Sequence, residues 1–313
     1  MHQPLRCCFS RSWPYSAGLT SWSSADLTHE GEKAVNTRTR KIALTVWRWI
    51  LTTVILLIIL VPLYWIFISS ITPATELFSS PIDYTPDHPT LNNYVRLFVE
   101  LDLTKKIVNT LIITVCAILF STVICTMAAY AIARYTCLLT GLVQAFVLAS
   151  ALIPNVVTAR PLYDFMRSLK LTDTIPGLIV LYTSELIPFT MLILNNFLCQ
   201  IPKTIEEAAE MDGAGFVRKM LYVTFPLLRP AIATVCIINF ITCVNDLFIP
   251  LFYANKLEVL SVAITKVPSK VSNSLPWDMI STMGWIIICP ILIVVVVFQK
   301  KIMGGIMAGG IKE

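Results

Sequence analysis

Six long apolar stretches punctuate this chain, and the polar segments between them set its plan. Trp49 to Ile71 carries no charge and is long enough for a bilayer core, which takes about 20 helical residues. Ile107 to Ala133 and Tyr135 to Ala159 follow, separated only by Arg134, so the pattern predicts a tight antiparallel hairpin. Thr174 to Cys199 makes a fourth span with a lone Glu185, Leu227 to about Tyr253 a fifth with Asp246 near its far end, and Met279 to Gln299 a sixth. Thr72 to Lys106 is polar and Pro-rich, predicting an extended loop that ends in a short surface helix from Asn92 to Leu101. Arg160 to Asp173 reads as a polar connection, and Asn255 to Asp278, with three lysines, Pro268 and Pro276, as a second loop on the side of Thr72 to Lys106. Met1 to Lys41 shows no apolar period and is expected to be a disordered tail ahead of one membrane domain, 42–313.

One charged interruption has structure of its own, Ile201 to Pro226. Pro202 suits a helix start, Thr204 with Glu207 three residues on forms a capping-box pattern, and a first helix is expected from about Thr204. Asp212-Gly213 ends it, because glycine enters the left-handed region without a Cβ penalty. A second short helix is expected from Ala214, ending before Pro226. Ile205, Ala208 and Ala209 share one side of the first, and Phe216, Val217, Met220 and Leu221 one side of the second, so the two make an amphipathic knob.

The knob resembles the EAA loop of ABC importer permeases: Glu207-Ala208-Ala209, then Asp212-Gly213-Ala214, then Pro226 thirteen residues after the glycine, with Leu227 and Pro230 continuing the run. Its wording is that of carbohydrate importers of the maltose-permease type. Pro89-Thr90-Leu91-Asn92-Asn93-Tyr94, Asn245-Asp246 with Pro250-Leu251, and the tail Ala308-Gly309-Gly310-Ile311-Lys312 agree with it, and the likeness runs from about Ile42 to the C-terminus. Val223 and Phe225 stand where Ile and Leu are usual. The resemblance implies an all-α, six-helix permease of a bacterial inner membrane that pairs with a second permease chain around a solute path. Two ATPase subunits would grip the knob through Glu207, Ala208, Ala209, Asp212, Gly213, Ala214 and Pro226, and an external binding protein would deliver a sugar or related polar solute. The alternative class is an ATP-independent channel or secondary carrier, which usually carries an internal repeat; none is visible here.

Composition narrows the chemistry. With 56% hydrophobic residues, 14% charged and a mean hydropathy of +0.74, the 313-residue chain lies outside the soluble range. Its 24 Lys and Arg against 19 Asp and Glu matter through their distribution: with the N-terminus inside, fifteen of the 24 fall on the inner side, which also puts the knob and both termini in the cytoplasm. Nothing indicates nucleic-acid binding. Seven of the nine cysteines lie in or beside apolar spans without paired spacing, as small packing residues, and Cys7-Cys8 is either a lipidation site or incidental. No phosphate-binding glycine loop occurs, and His2, His29 and His88 have no metal-ligand spacing, so no catalytic residue, cofactor or metal is expected.

Polar groups at membrane depth carry the remaining information, since an ionisable side chain there costs at least about 2.5 kcal/mol. Glu185, Asn196, Asn245 and Asp246 are candidates for a solute path, and Asn195 and Asn239 share their setting. Each could instead bond between helices and hold the bundle together. Pro62, Pro154, Pro188, Pro250 and Pro290 interrupt the spans and read either as hinges or as static kinks.

Overall fold

The computed structural model describes residues 24–77, 85–135, 137–268 and 275–310, and every regular element among them is a helix. The chain forms two compact units, residues 1–62 and 63–313, with the border inside α1 (Ser24–Ile71) at Pro62. Residues 1–23 of the tail expected up to Lys41 lie outside the described ones, and from Ser24 the backbone is helical. Once the apolar span has nucleated the helix, upstream growth fixes one residue per added hydrogen bond with no second nucleation cost.

In the second unit the expected surface helix is α2 (Asn92–Glu100), followed by α3 (Leu103–Arg134), α4 (Leu138–Ser150), α5 (Asn155–Ser168) and α6 (Ile175–Gln200). The knob begins with α7 (Lys203–Met211), and α8 (Phe216–Lys219) passes through a π-helical turn, Met220–Thr224, into α9 (Phe225–Asn245). Short α10 (Phe248–Tyr253) and α11 (Leu260–Ala263) precede α12 (Trp277–Gly310). Among the described residues five helices are long and apolar enough to cross a membrane: Ala43–Ile71, Leu103–Arg134, Ile175–Gln200, Phe216–Asn245 and Trp277–Gln299.

The third expected span, Tyr135 to Ala159, is present only as a bent pair. α4 and α5 meet at 102°, and the break falls where Pro154, in extended conformation, disfavours helical backbone at Ile153 and opens α5. α5 then runs on through most of the connection predicted from Arg160, with Arg160 and Asp164 paired one turn apart on its exposed side. The fifth span is likewise shorter than expected. α9 stops at Asn245, and Asp246 and Leu247 separate it from α10.

α3 lies along α6, and α9 packs on both. Ala117, Ala129 and Ala231 are buried at these contacts among Leu178, Leu186, Leu194, Leu198 and Leu228, so small residues let the backbones approach. The opposite side of α3 exposes Val115, Leu119, Phe120 and Val123, as a lipid-facing surface does. A third cluster ties α2 to α3, α11 and α12 through Leu97, Leu103, Leu260, Met279 and Met283. Polar pins fix the ends: Asn93 donates to the Ser70 and Thr72 carbonyls at 3.2 and 3.1 Å, and Asp173 accepts from the Lys256 and Leu257 amides at 2.8 and 2.7 Å.

The start of α6 is sterically closed. Thr174 accepts from the Gly177 amide at 3.1 Å and donates to the Leu171 carbonyl at 2.8 Å, which brings that carbonyl against Gly177. A Cβ on Gly177 would lie 1.9 Å from the Leu171 oxygen, whereas one on Gly141 would meet nothing within 4 Å. Gly177→Ala is expected to cost about 1–3 kcal/mol through backbone displacement. Gly141→Ala, a mid-helix change that removes glycine's conformational entropy, should be neutral or stabilising by up to about 1 kcal/mol. Thermal unfolding of the two variants in lipid nanodiscs checks the pair, and equal melting temperatures would contradict the close approach.

Candidate functional site

The knob is built as the glycine signal dictates. Gly213 has φ +80°; its amide donates to the Glu210 carbonyl and that of Ala214 to Ala209, both at 2.9 Å, so α7 ends in a Schellman motif. The capping box is not formed. α7 begins at Lys203 with Pro202 ahead of it, which puts Thr204 inside the first turn and leaves no side-chain cap. Nor does the second helix stop before Pro226. The chain from Phe216 to Asn245 is one continuous helical path, because the π turn, with Phe225 N–H bonded to the Met220 carbonyl, shifts the ladder just where Pro226 has no amide to contribute.

Glu207, the acidic residue singled out from the sequence, points outward and is exposed, as are Ala208, Asp212 and Gly213, while Ala209, Ala214 and Pro226 are half-buried. Around them Ile205, Met211, Phe216, Val217, Leu221 and Tyr222 present apolar surface, Met211 being 88% exposed. Exposed apolar side chains of this number on two short helices, with acidic Glu207 and Asp212 among them, have the character of a docking surface.

Its neighbour Glu206 does the opposite. One residue along a helix turns a side chain by about 100°, and Glu206 is buried between α7, α3 and α9. Arg134, the last residue of α3, donates from Nη2 to Oε1 at 2.7 Å and from Nε to Oε1 and Oε2 at 3.0 and 3.1 Å. The same guanidinium reaches the Leu198 and Ile201 carbonyls at 3.3 and 3.2 Å, at the end of α6. Tyr130 donates to Oε2 at 3.1 Å, and Thr224 in the π turn donates to Oε1 at 3.4 Å. Tyr130 also meets Phe216 edge to face at 5.8 Å, and Lys219, itself buried, pairs with Glu210. Sequence reasoning counted Arg134 only as a loop charge. Its isolation between two apolar spans, and two adjacent glutamates of which one alone can face outward, were the available signals.

The second candidate region is a cavity of about 890 Å³ walled by α4, the break after it, α5, α6 and α10. Of the four path candidates only Glu185 lines it. Asn155 Nδ2 donates to Glu185 Oε1 at 3.1 Å, while Oε2 is buried with no hydrogen-bond donor among the described residues. Asp246 lies elsewhere, its carboxylate accepting from Tyr182 Oη and the Ile249 amide on one oxygen and the Phe248 amide on the other, at 3.0–3.2 Å, so it organises the start of α10. Asn245 is exposed and Asn196 half-buried, both outside the lining. Asn239 donates to Thr190 at 2.9 Å across the buried α9–α6 contact. Pro154 and Pro188 both border the cavity, the first at a true break and the second inside continuous α6.

Removing one partner of a buried ion pair leaves the other charge without compensation, a loss of about 3–5 kcal/mol. Glu206→Ala is expected to destabilise the chain by that order, and Glu207→Ala, an exposed change, by less than about 0.5 kcal/mol. Denaturation of both variants in nanodiscs checks the contrast; similar midpoints would show that Glu206 does not anchor the knob.

Residues 126–303, more than half of the chain, match the family model described as binding-protein-dependent transport system inner membrane component. The chain is similar to the sulfoquinovosyl glycerol transport system permease protein SmoH of Agrobacterium fabrum, 30% identical over 85% of this chain and 93% of that one. It is also 30% identical to the trehalose transport system permease protein SugB of Mycobacterium tuberculosis, over 86% and 97% of the two chains. A chain of a bacterial ABC transporter that imports the acidic polysaccharide alginate superposes with a TM-score of 0.69 at 22% identity, covering 90% of this chain and 98% of that one. The protein thus belongs to the inner membrane components of binding-protein-dependent transport systems, a family of multi-pass ABC permeases rather than enzymes.

Proposed function

We propose that this chain is one of two permease subunits lining the path of a carbohydrate importer, driven by separate ATPase subunits that grip α7 and α8, and loaded by an external solute-binding protein. The observation that carries the reading is the knob itself. Its inner side is locked to α3, α6 and the π turn through Glu206, and its outer side exposes apolar side chains with Glu207 among them. A surface held rigidly from behind and left open in front suits force transmission. The relatives named for sugars and sugar derivatives supply the solute class, and a structure titled as alginate transporter in complex with pentasaccharide-bound periplasmic protein supports the delivering partner.

Coupling follows from differential binding. If ATP closes the ATPase dimer around the knob, the knob moves with its cleft, and the bundle shifts between inward and outward access by as much as the two states differ in contact energy. The loops Thr72 to Lys106 and Asn255 to Asp278 would face the binding protein. Part of the second is already ordered, with Glu258 paired to Lys106 at 2.7 Å and Asn109 donating to the Glu258 carbonyl at 3.1 Å. Glu185 is the residue on which the solute path centres; it lines the cavity, whereas Asn196, Asn245 and Asp246 do not and join the path only where it extends beyond that cavity.

Gly213→Val forces a β-branched side chain into positive φ, at about 1–3 kcal/mol of strain, and Glu207→Lys reverses the charge at that position. Both are expected to insert normally and to lower sugar uptake and transport-coupled ATP hydrolysis severalfold when the chain is expressed with its partner subunits; wild-type uptake in both would remove the coupling role. Orientation is checked separately by single cysteines on a cysteine-free background. Position 207 should label only after the membrane is opened, and positions 88 and 266 from outside; external labelling at 207 would overturn the cytoplasmic placement of the knob and of both termini.

A further inference from the structure

The cavity beside Glu185 is nearly one-sided in its hydrogen bonding. Its hydroxyls give their protons to their own backbone: Ser150 to the Val147 carbonyl at 2.6 Å, Thr158 to Asn155 at 3.1 Å and Ser184 to Leu181 at 2.7 Å. Tyr253 likewise donates to the Ala159 carbonyl at 3.2 Å. Each hydroxyl oxygen so oriented keeps lone pairs for an incoming donor and has no proton left to offer. Three prolines in the lining, Pro154, Pro161 and Pro188, have no amide N–H, and Pro188 cannot supply the Ser184 carbonyl one turn before it. Among the described lining residues there is no Lys, Arg or His.

We infer that this cavity takes a glycoside that presents O–H or N–H donors and carries no negative charge, and that it rejects acidic sugars. The inference rests on the reading of the chain as a carbohydrate permease and adds the charge class. The Glu185 carboxylate, which lines the cavity and has one oxygen without a donor, is the focal acceptor, and Phe165, Phe189 and Phe248 give apolar walls for the C–H faces of a pyranose ring. A carboxylate or sulfonate on the ligand would meet no Lys, Arg or His among the described lining residues and would face the charge of an ionised Glu185. The opposing features are the second Nδ2 proton of Asn155 and the N-terminus of α5, where the helix dipole supplies about half a positive charge; this is less than the full unit on an ionised Glu185, so the balance still disfavours an anion.

The test uses the full chain in nanodiscs with α- and β-linked glucose disaccharides, each in three forms: neutral, with one glucuronic acid, and with 2-amino groups. Melting temperature is recorded for wild type and for Ser184→Trp, whose ring fills the cavity from an exposed position. At saturation a neutral or amino form should raise the wild-type melting temperature by about 3 °C. The matched acid form should not, and Ser184→Trp should abolish the shift. Stabilisation by an acid form that Ser184→Trp removes would overturn the charge class and leave the carbohydrate path standing. A neutral-sugar shift that survives Ser184→Trp would remove the ligand from this cavity, and no shift with any disaccharide would overturn the inferred site. The carbohydrate reading itself stands or falls on a different measurement, uptake by the assembled importer.

Discussion

The bidentate pairing of Arg134 with Glu206 is the constraint on which the inner end of the bundle depends. Both side chains are almost entirely withdrawn from solvent, at 8% and 6% exposure, so the pair cannot rest on Coulomb attraction alone. Burying two charges costs several kcal/mol each, and this is offset only when the remaining donors and acceptors are filled. Here most are filled, from three elements: the guanidinium by carbonyls at the end of α6, the carboxylate by Tyr130 of α3 and Thr224 of the π turn. Moving any one element leaves a buried charge with an unmet bond, so α7 is held in one orientation.

Much of this was legible in the sequence, for identifiable reasons. Long uncharged stretches report membrane helices because hydrocarbon tolerates little else, and Gly213 reported its own positive φ because few other residues adopt it. Boundaries that depend on the three-dimensional surroundings were not legible. A local pattern at Thr204 suggested a cap, but the helix starts at Lys203. Pro226 looked like a terminus, yet a wider turn lets the helix pass it. Pro154 and Pro188 read alike in the sequence; one breaks a span and the other sits inside a continuous helix.

The site residues divide along the same line. Glu207 is outward on a knob whose motif fixes its register, whereas the importance of Glu206 comes from Arg134, 72 residues away. Asp246 and Glu185 looked equivalent as carboxylates at membrane depth. Tertiary structure separates them, since backbone amides and Tyr182 satisfy Asp246 while Glu185 lines a cavity with one oxygen left without a donor among the described residues. α6 is common to both regions, with Glu185 in its middle and its last carbonyls on Arg134.

The π turn at Met220–Thr224 has a consequence for phase. A π turn holds one residue more than the α turn it replaces, and one residue is about 100° of helical rotation. The faces of α9 are therefore dialled relative to α8 by that amount: Thr224 meets Glu206 and Leu228 and Ala231 meet the α3–α6 core in the same continuous helix that turns Val217 and Leu221 outward. A single-residue deletion between 220 and 224 would restore a regular helix at the loss of one side chain, and would turn every later side chain of the span away from its present neighbours. The number of residues in this short segment thus sets the register of everything after it in the span.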